Sequence, residues 1–139
     1  MDGPLCVEIG FGQGHYIANR AKREPKTLFL GIENSWIPLK MCLRKIGQLG
    51  LKNLRLLLCD VRDALLRLFE ERSIDEIICL FPCPWPKERH KKRRLFSSAF
   101  MRLMNSRLKD TGQATVVTDH LQFKEWVREN AKEGGFLID

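Results

Sequence analysis

The chain has 139 residues, the length of one domain with one sizeable core, and is too short for two such domains side by side in these residues. Its formal charge of +7 is concentrated: Lys87 to Arg94 carries six positive charges and one negative, which leaves +2 for everything else. With no apolar segment of membrane-spanning length, no signal peptide and no Cys-x-x-Cys pair among five cysteines, the sequence predicts a reduced, cytoplasmic protein.

In chain order, residues 5–9 read as a strand and residues 13–24 as a helix that Pro25 ends. Residues 28–33 form the second strand. Ser35 caps the next helix, Pro38 sits in its first turn, and Gly47 or Gly50 closes it. Residues 54–59 make the third strand and 61–72 a helix with Leu65, Leu66 and Phe69 on one face. Residues 76–81 are the fourth strand, 97–108 a helix, 113–118 the fifth strand and 120–132 a helix ending at Gly134-Gly135. Residues 136–139 are predicted to begin a sixth strand, whose unpaired edge would allow a homodimer as readily as a monomer. The alternation of near-continuous apolar strands with helices predicts one α/β domain over residues 1–139. Its sheet is doubly wound and mostly parallel, with helices on both faces in the Rossmann-like manner.

Two stretches carry chemistry. Glu8-Ile9-Gly10-Phe11-Gly12-Gln13-Gly14 closes the first strand and opens the first helix, where glycines permit a tight turn and a helix N-terminus offers free N–H groups. Glu33 ends the second strand, 19 residues past Gly14, where a carboxylate accepts both hydroxyls of a ribose. Asp60 ends the third strand and reads either as an adenine contact or as the N-cap of the helix beginning at Val61. Glu8 lies inside an apolar strand, so its carboxyl needs a partner such as a sulfonium or an amino group. Strand-end acids beside a glycine turn suit a cationic adenosine cofactor, S-adenosylmethionine, rather than a dinucleotide whose pyrophosphate a glutamate repels.

The second stretch is Phe81-Pro82-Cys83-Pro84-Trp85-Pro86, followed by Lys87, Arg89, His90, Lys91, Lys92, Arg93 and Arg94. Three alternating prolines fix an extended loop, and the basic run after it is the electrostatic footprint of a nucleic acid. Trp85 either stacks on a base or props the loop. Cys79, Cys83 and His90 match no common zinc spacing, so no metal is expected.

Together, the Glu8 glycine motif, Gly31-Ile-Glu33, Asn53-Leu-Arg with Asp60, the 81–94 run and Thr118-Asp119 resemble the tRNA (guanine-N7) methyltransferase family. The likeness spans residues 5 to about 132, and the proline-tryptophan-basic motif is its most specific part. The resemblance implies a class I methyltransferase fold and methylation of a guanine in the variable loop of tRNA with S-adenosylmethionine as donor. It implies cofactor contacts from Glu8, Gly10, Gly12, Gly14, Glu33, Asn34, Asp60, Val61 and Cys83. RNA contacts would come from Arg89, His90, Lys91, Lys92, Arg93 and Arg94, and substrate contacts from Lys87 and Asp119. The family usually carries an aspartate at the position of Cys83, at the methyl-transfer centre. Cys83 and Asp119 are therefore the candidate catalytic positions, and Asp119 reads alternatively as a helix N-cap. The family's Thr-x-Phe-Glu-type C-terminal segment has no counterpart before Asp139, so the resemblance also admits an RNA-binding module that retains the cofactor fold with impaired turnover.

Overall fold

The computed structural model describes residues 3–139. Among them, β1 (Leu5–Ile9), β2 (Leu28–Glu33), β3 (Leu54–Leu58), β4 (Ile74–Leu80) and β5 (Leu108–Val117) form one sheet in the order β3-β2-β1-β4-β5. Every neighbouring pair is parallel, so each connection must cross the sheet, and helices make the crossings. These are α1 (His15–Arg23), α2 (Trp36–Leu49), α3 (Val61–Arg67) and α4 (Ser98–Arg107), while α5 (Leu121–Glu133) follows the last strand. The chain winds outward from β1 to β3, then returns to β4 on the other side of β1. Ligands of open α/β sheets bind at such a switch point, beyond the C-terminal strand ends.

Alternation along the strands divides the interior into two cores. Val7, Ile9, Ile32, Ile77 and Cys79 face α3, α4 and α5, where Leu65, Phe100, Met104 and Phe123 bury. Cys6, Phe29 and Ile78 point the opposite way, against Ile17, Ala18 and Ala21 of α1 and Leu39 and Cys42 of α2. A strand buried on both faces has no polar positions to alternate, hence the continuous apolar runs.

Several boundaries differ from the sequence reading. Helix α3 ends at Arg67 rather than 72, because Arg72 and Ser73 turn to donate to the Ser106 and Arg107 carbonyls. Leu66, expected on its inner face, is 58% exposed, one residue and about 100° around the helix from buried Leu65. Helix α2 closes at Gly50, whose left-handed backbone lets its N–H reach the Gly47 and Ile46 carbonyls, while Gly47 stays inside the helix. Strand β5 starts five residues early, since Leu108 already pairs with Ile74 before a register shift. Residues 136–139 form no strand. The Phe136 N–H caps the Ala131 carbonyl, and Phe136 and Ile138 lean on the first core instead of pairing with β5. A trough of about 1110 Å³ runs along β5 between α4, α5 and this C-terminal stretch, and it includes none of the predicted site residues.

Candidate cofactor and nucleic-acid site

Gly10, Gly12 and Gly14 all have positive φ (65°, 59° and 84°), which carries the chain from β1 into α1 in five residues. A Cβ at Gly10 or Gly12 would meet no atom within 4 Å, so the turn presents bare backbone to open space on that side. Gly14 differs: it is the left-handed N-cap of α1, and a Cβ there would collide with the Cys42 side chain. Phe11, between the glycines, is buried over Gly31 of β2, which locks the turn to the neighbouring strand.

Across from this turn, the Glu33 carboxylate accepts from the Gly12 N–H at 3.3 Å and from the Asn34 N–H at 3.1 Å. Each oxygen keeps a lone pair for a further donor. The Cys59 N–H donates to the Glu33 carbonyl, which brings the end of β3 alongside. Asp60 caps α3, with Oδ1 accepting from the Arg62 N–H at 2.8 Å. Its side chain is about half exposed, so capping leaves it accessible. Val61 is buried beneath it, and Asn34 lies exposed at the rim. The rim also exposes Trp36 (56%) and Leu58 (50%) beside Glu33, apolar surface that periodicity alone assigns to the ends of elements.

Glu8 is 2% exposed and its Oε1 has no hydrogen-bond partner. It pairs in register with Gly31, so Glu33 lies one pleat further toward the rim on the same face. Burial pushes its carboxyl up to about 7; the Arg20 charge opposes the shift and the Glu33 charge adds to it. Arg20 is committed elsewhere, to Glu24 at 2.8 Å and Glu76 at 3.0 Å.

The proline loop leaves the same rim, two strands over from Glu33. The Phe81 N–H donates to the Val117 carbonyl, and both Phe81 and Trp85 hold positive φ (50° and 44°). Bulky residues adopt that conformation only when their surroundings impose it, at a cost of about 1–3 kcal/mol each. Cys83, between them, is exposed. The basic run forms a 3₁₀ helix, η1 (Glu88–Arg93). Trp85 packs within this segment: the Arg93 guanidinium lies 4.9 Å from its ring and His90 meets it edge-on at 5.6 Å.

Lys87, Arg89, Lys92 and Arg93 are exposed, while Lys91 is paired with Glu88 at 2.6 Å. Arg94 corrects the sequence reading of an RNA contact. It is 4% exposed, donates from Nε to the Pro84 carbonyl at 2.7 Å, and lies over Trp126 and Phe123 of α5. Its Nε is engaged inside, on the loop, while its buried Nη2 has no hydrogen-bond partner. Asp119 is exposed and does not cap α5. His120 does so, its Nδ1 accepting from the Phe123 N–H at 3.0 Å, while Thr118 Oγ1 accepts from the His120 N–H.

Residues 2–137 match the family model described as "Putative methyltransferase". The chain is 39% identical over 137 residues to a tRNA (guanine-N(7)-)-methyltransferase of Chlorobium phaeobacteroides, covering 99% of this chain and 67% of that protein. The chain belongs to the tRNA (guanine-N7) methyltransferase family. A Thermus thermophilus protein of the same name is 40% identical over 96% of this chain and 43% of its own length. The chain thus spans between 43% and 67% of the length of these relatives. Among solved structures, a Haemonchus contortus phosphoethanolamine N-methyltransferase in complex with S-adenosyl-L-methionine aligns with a TM-score of 0.69. That alignment has 21% identity and covers 97% of this chain and 33% of that one. At that identity the similarity speaks to the fold, which is the Rossmann-like methyltransferase fold expected from the sequence. No helix among the described residues is long and apolar enough to cross a membrane.

Proposed function

We propose that this chain binds S-adenosylmethionine at the β1 glycine turn and directs methyl transfer to N7 of a guanine in tRNA, in the variable loop. The observation that carries the reading is the shared rim. Glu33, which accepts from the glycine turn at 3.3 Å, and the exposed cations of η1 both follow C-terminal ends of parallel strands. Two strand spacings, about 10 Å, separate β2 from β4 in the sheet.

The residues fit such a cofactor. Gly10 and Gly12 leave room beside bare backbone, Glu33 retains acceptor capacity for a ribose diol, and the orphaned Glu8 oxygen lacks the positive partner a cationic ligand would bring. When bound, S-adenosylmethionine supplies a methyl group on a sulfonium, an electrophile that needs no activation by the protein. Guanine N7 carries an in-plane lone pair and no proton, so neither His90 nor any other residue is required as a base. The protein's task is alignment and compensation of the positive charge that develops on the purine. Asp119, exposed at the end of β5 and free of capping, is suited to orient the base and offset that charge. Lys87, Arg89, Lys92 and Arg93 bind the RNA backbone.

Cys83 favours a second reading. A thiol occupies the loop position where the family usually carries an aspartate, so the chain would hold cofactor and RNA with little turnover. Tritium transfer from labelled cofactor into tRNA separates the two. We expect Cys83→Asp to raise kcat by roughly tenfold or more with little change in KM. A measurable rate left unchanged by the substitution contradicts the role given to the acid. Absence of transfer in both forms, with cofactor and tRNA still bound, establishes the binding module.

A further inference from the structure

Three polar side chains are buried among the described residues: Glu8, Asn53 and Arg94. The Asn53 amide donates to the Ala21, Glu24 and Thr27 carbonyls, and Arg94 holds the Pro84 carbonyl. Glu8 combines an orphaned carboxylate oxygen with a position two residues before Gly10, where the turn presents bare backbone with no atom within 4 Å of a would-be Cβ. An ionised carboxylate there would have no counter-charge within bonding reach, a costly state in a low-dielectric interior.

We propose that a cationic ligand binding at the glycine turn displaces a proton from the Glu8 carboxyl to solvent, which makes cofactor affinity proton-linked. The inference rests on the S-adenosylmethionine reading and deepens it. In the free protein Glu8 is mostly neutral below about pH 7. When the ligand's positive group arrives, the O–H bond of Glu8 breaks, its proton passes to buffer, and the carboxylate left behind is paired by the ligand. No covalent bond to the ligand forms.

The groups around Glu8 support this. Arg20 of α1 faces it but is bonded to Glu24 and Glu76. Glu33 of β2 disfavours a second negative charge on the same face. Cys42 of α2, Cys79 of β4 and Cys6 of β1 are thiols that burial pushes up, to about 11, 12 and 12, so none competes for the proton near neutrality. With the Glu8 carboxyl raised to about 7, it changes charge in the physiological window, whereas these three thiols do not.

The test is titration calorimetry of the chain with S-adenosylmethionine and with S-adenosylhomocysteine, in two buffers of different ionisation enthalpy. At about pH 6.5 the wild type should release roughly three quarters of a proton per site, and Kd should weaken about tenfold per pH unit below about pH 6 and level off above about pH 8. Glu8→Gln should bind with no buffer-dependent heat. Equal release with both ligands assigns the pairing to their shared ammonium, and release with S-adenosylmethionine alone assigns it to the sulfonium; either supports the proposal. Should Glu8→Gln fail to fold, infrared difference spectra of the wild type should show a protonated-carboxyl band lost on binding. Buffer-dependent heat that survives in Glu8→Gln overturns the proposal, as does a pH-independent Kd. Binding without proton release contradicts this inference alone, whereas no binding heat even at pH 8 contradicts the cofactor reading as well.

Discussion

Glu8 gives the unliganded protein a pH-dependent stability of unusual sign for a carboxylate. Its folded-state carboxyl sits near 7 against an ordinary 4.5, so the folded chain holds the proton that the unfolded chain has lost. Stability from this group is complete below about pH 4.5 and falls as pH rises through about 7, by about 3 kcal/mol in all. Glu8→Gln removes the titration, and chemical denaturation should find the variant more stable than wild type at pH 8 and nearly equal to it at pH 4.5. Equal pH profiles for the two would mean that Glu8 is solvated in the folded state. Asp75 runs the other way. The Leu5 N–H, followed by Lys109, lowers its carboxyl, so its contribution is lost as pH falls.

At the scale of elements, η1 is held by one buried side chain. Arg94 joins the proline loop, through the Pro84 carbonyl, to the aromatic face of α5 at Trp126 and Phe123. Arg94→Ala should cost about 2 kcal/mol, from one charge-assisted hydrogen bond and a desolvated cation–π contact. Lys92→Ala, on the exposed side, should change the denaturation midpoint by less than about 0.5 kcal/mol while weakening tRNA binding. A stability loss from Lys92→Ala as large as that from Arg94→Ala would refute this division of labour. The turn before α1 is equally specific: Gly14→Ala forces a side chain into a left-handed position and against Cys42, and should destabilise by roughly 2 kcal/mol or more in the same assay.

These elements were legible in the sequence to different degrees. The limits of β1 and β2 could be read to the residue, because these doubly buried strands are apolar apart from Glu8 and the terminal Glu33, and stop abruptly at Gly10 and Asn34. Arg94 could not be read, since its role depends on Trp126, 32 positions away. The α5 cap, read as an alternative role for Asp119, falls to His120 for a local reason: the two are adjacent acceptors, and only the backbone decides which one faces the Phe123 N–H. The 3₁₀ turn of η1 is likewise masked by a composition that suits a solvated loop.

For the molecule as a whole, all-parallel strand order sends every C-terminal strand end to one rim, and that rim gathers Glu33, Asp60, the proline loop and Asp119. The electrostatics belong to this scale. With Arg94 turned inward and Lys91 paired to Glu88, four cations remain for phosphates. The logarithm of tRNA affinity should therefore fall with log salt at a slope of roughly −3 to −3.5. A flat dependence would remove the basic segment from RNA binding.

The account stands on the common rim, and amide hydrogen exchange of the chain with S-adenosylhomocysteine and tRNA tests that rim most directly. Ligand should protect residues 10–14 and 33–35, and tRNA should protect residues 82–93 and 118–120. Protection by tRNA at the opposite strand ends, around residues 24–27, 51–53 and 72–75, would contradict it.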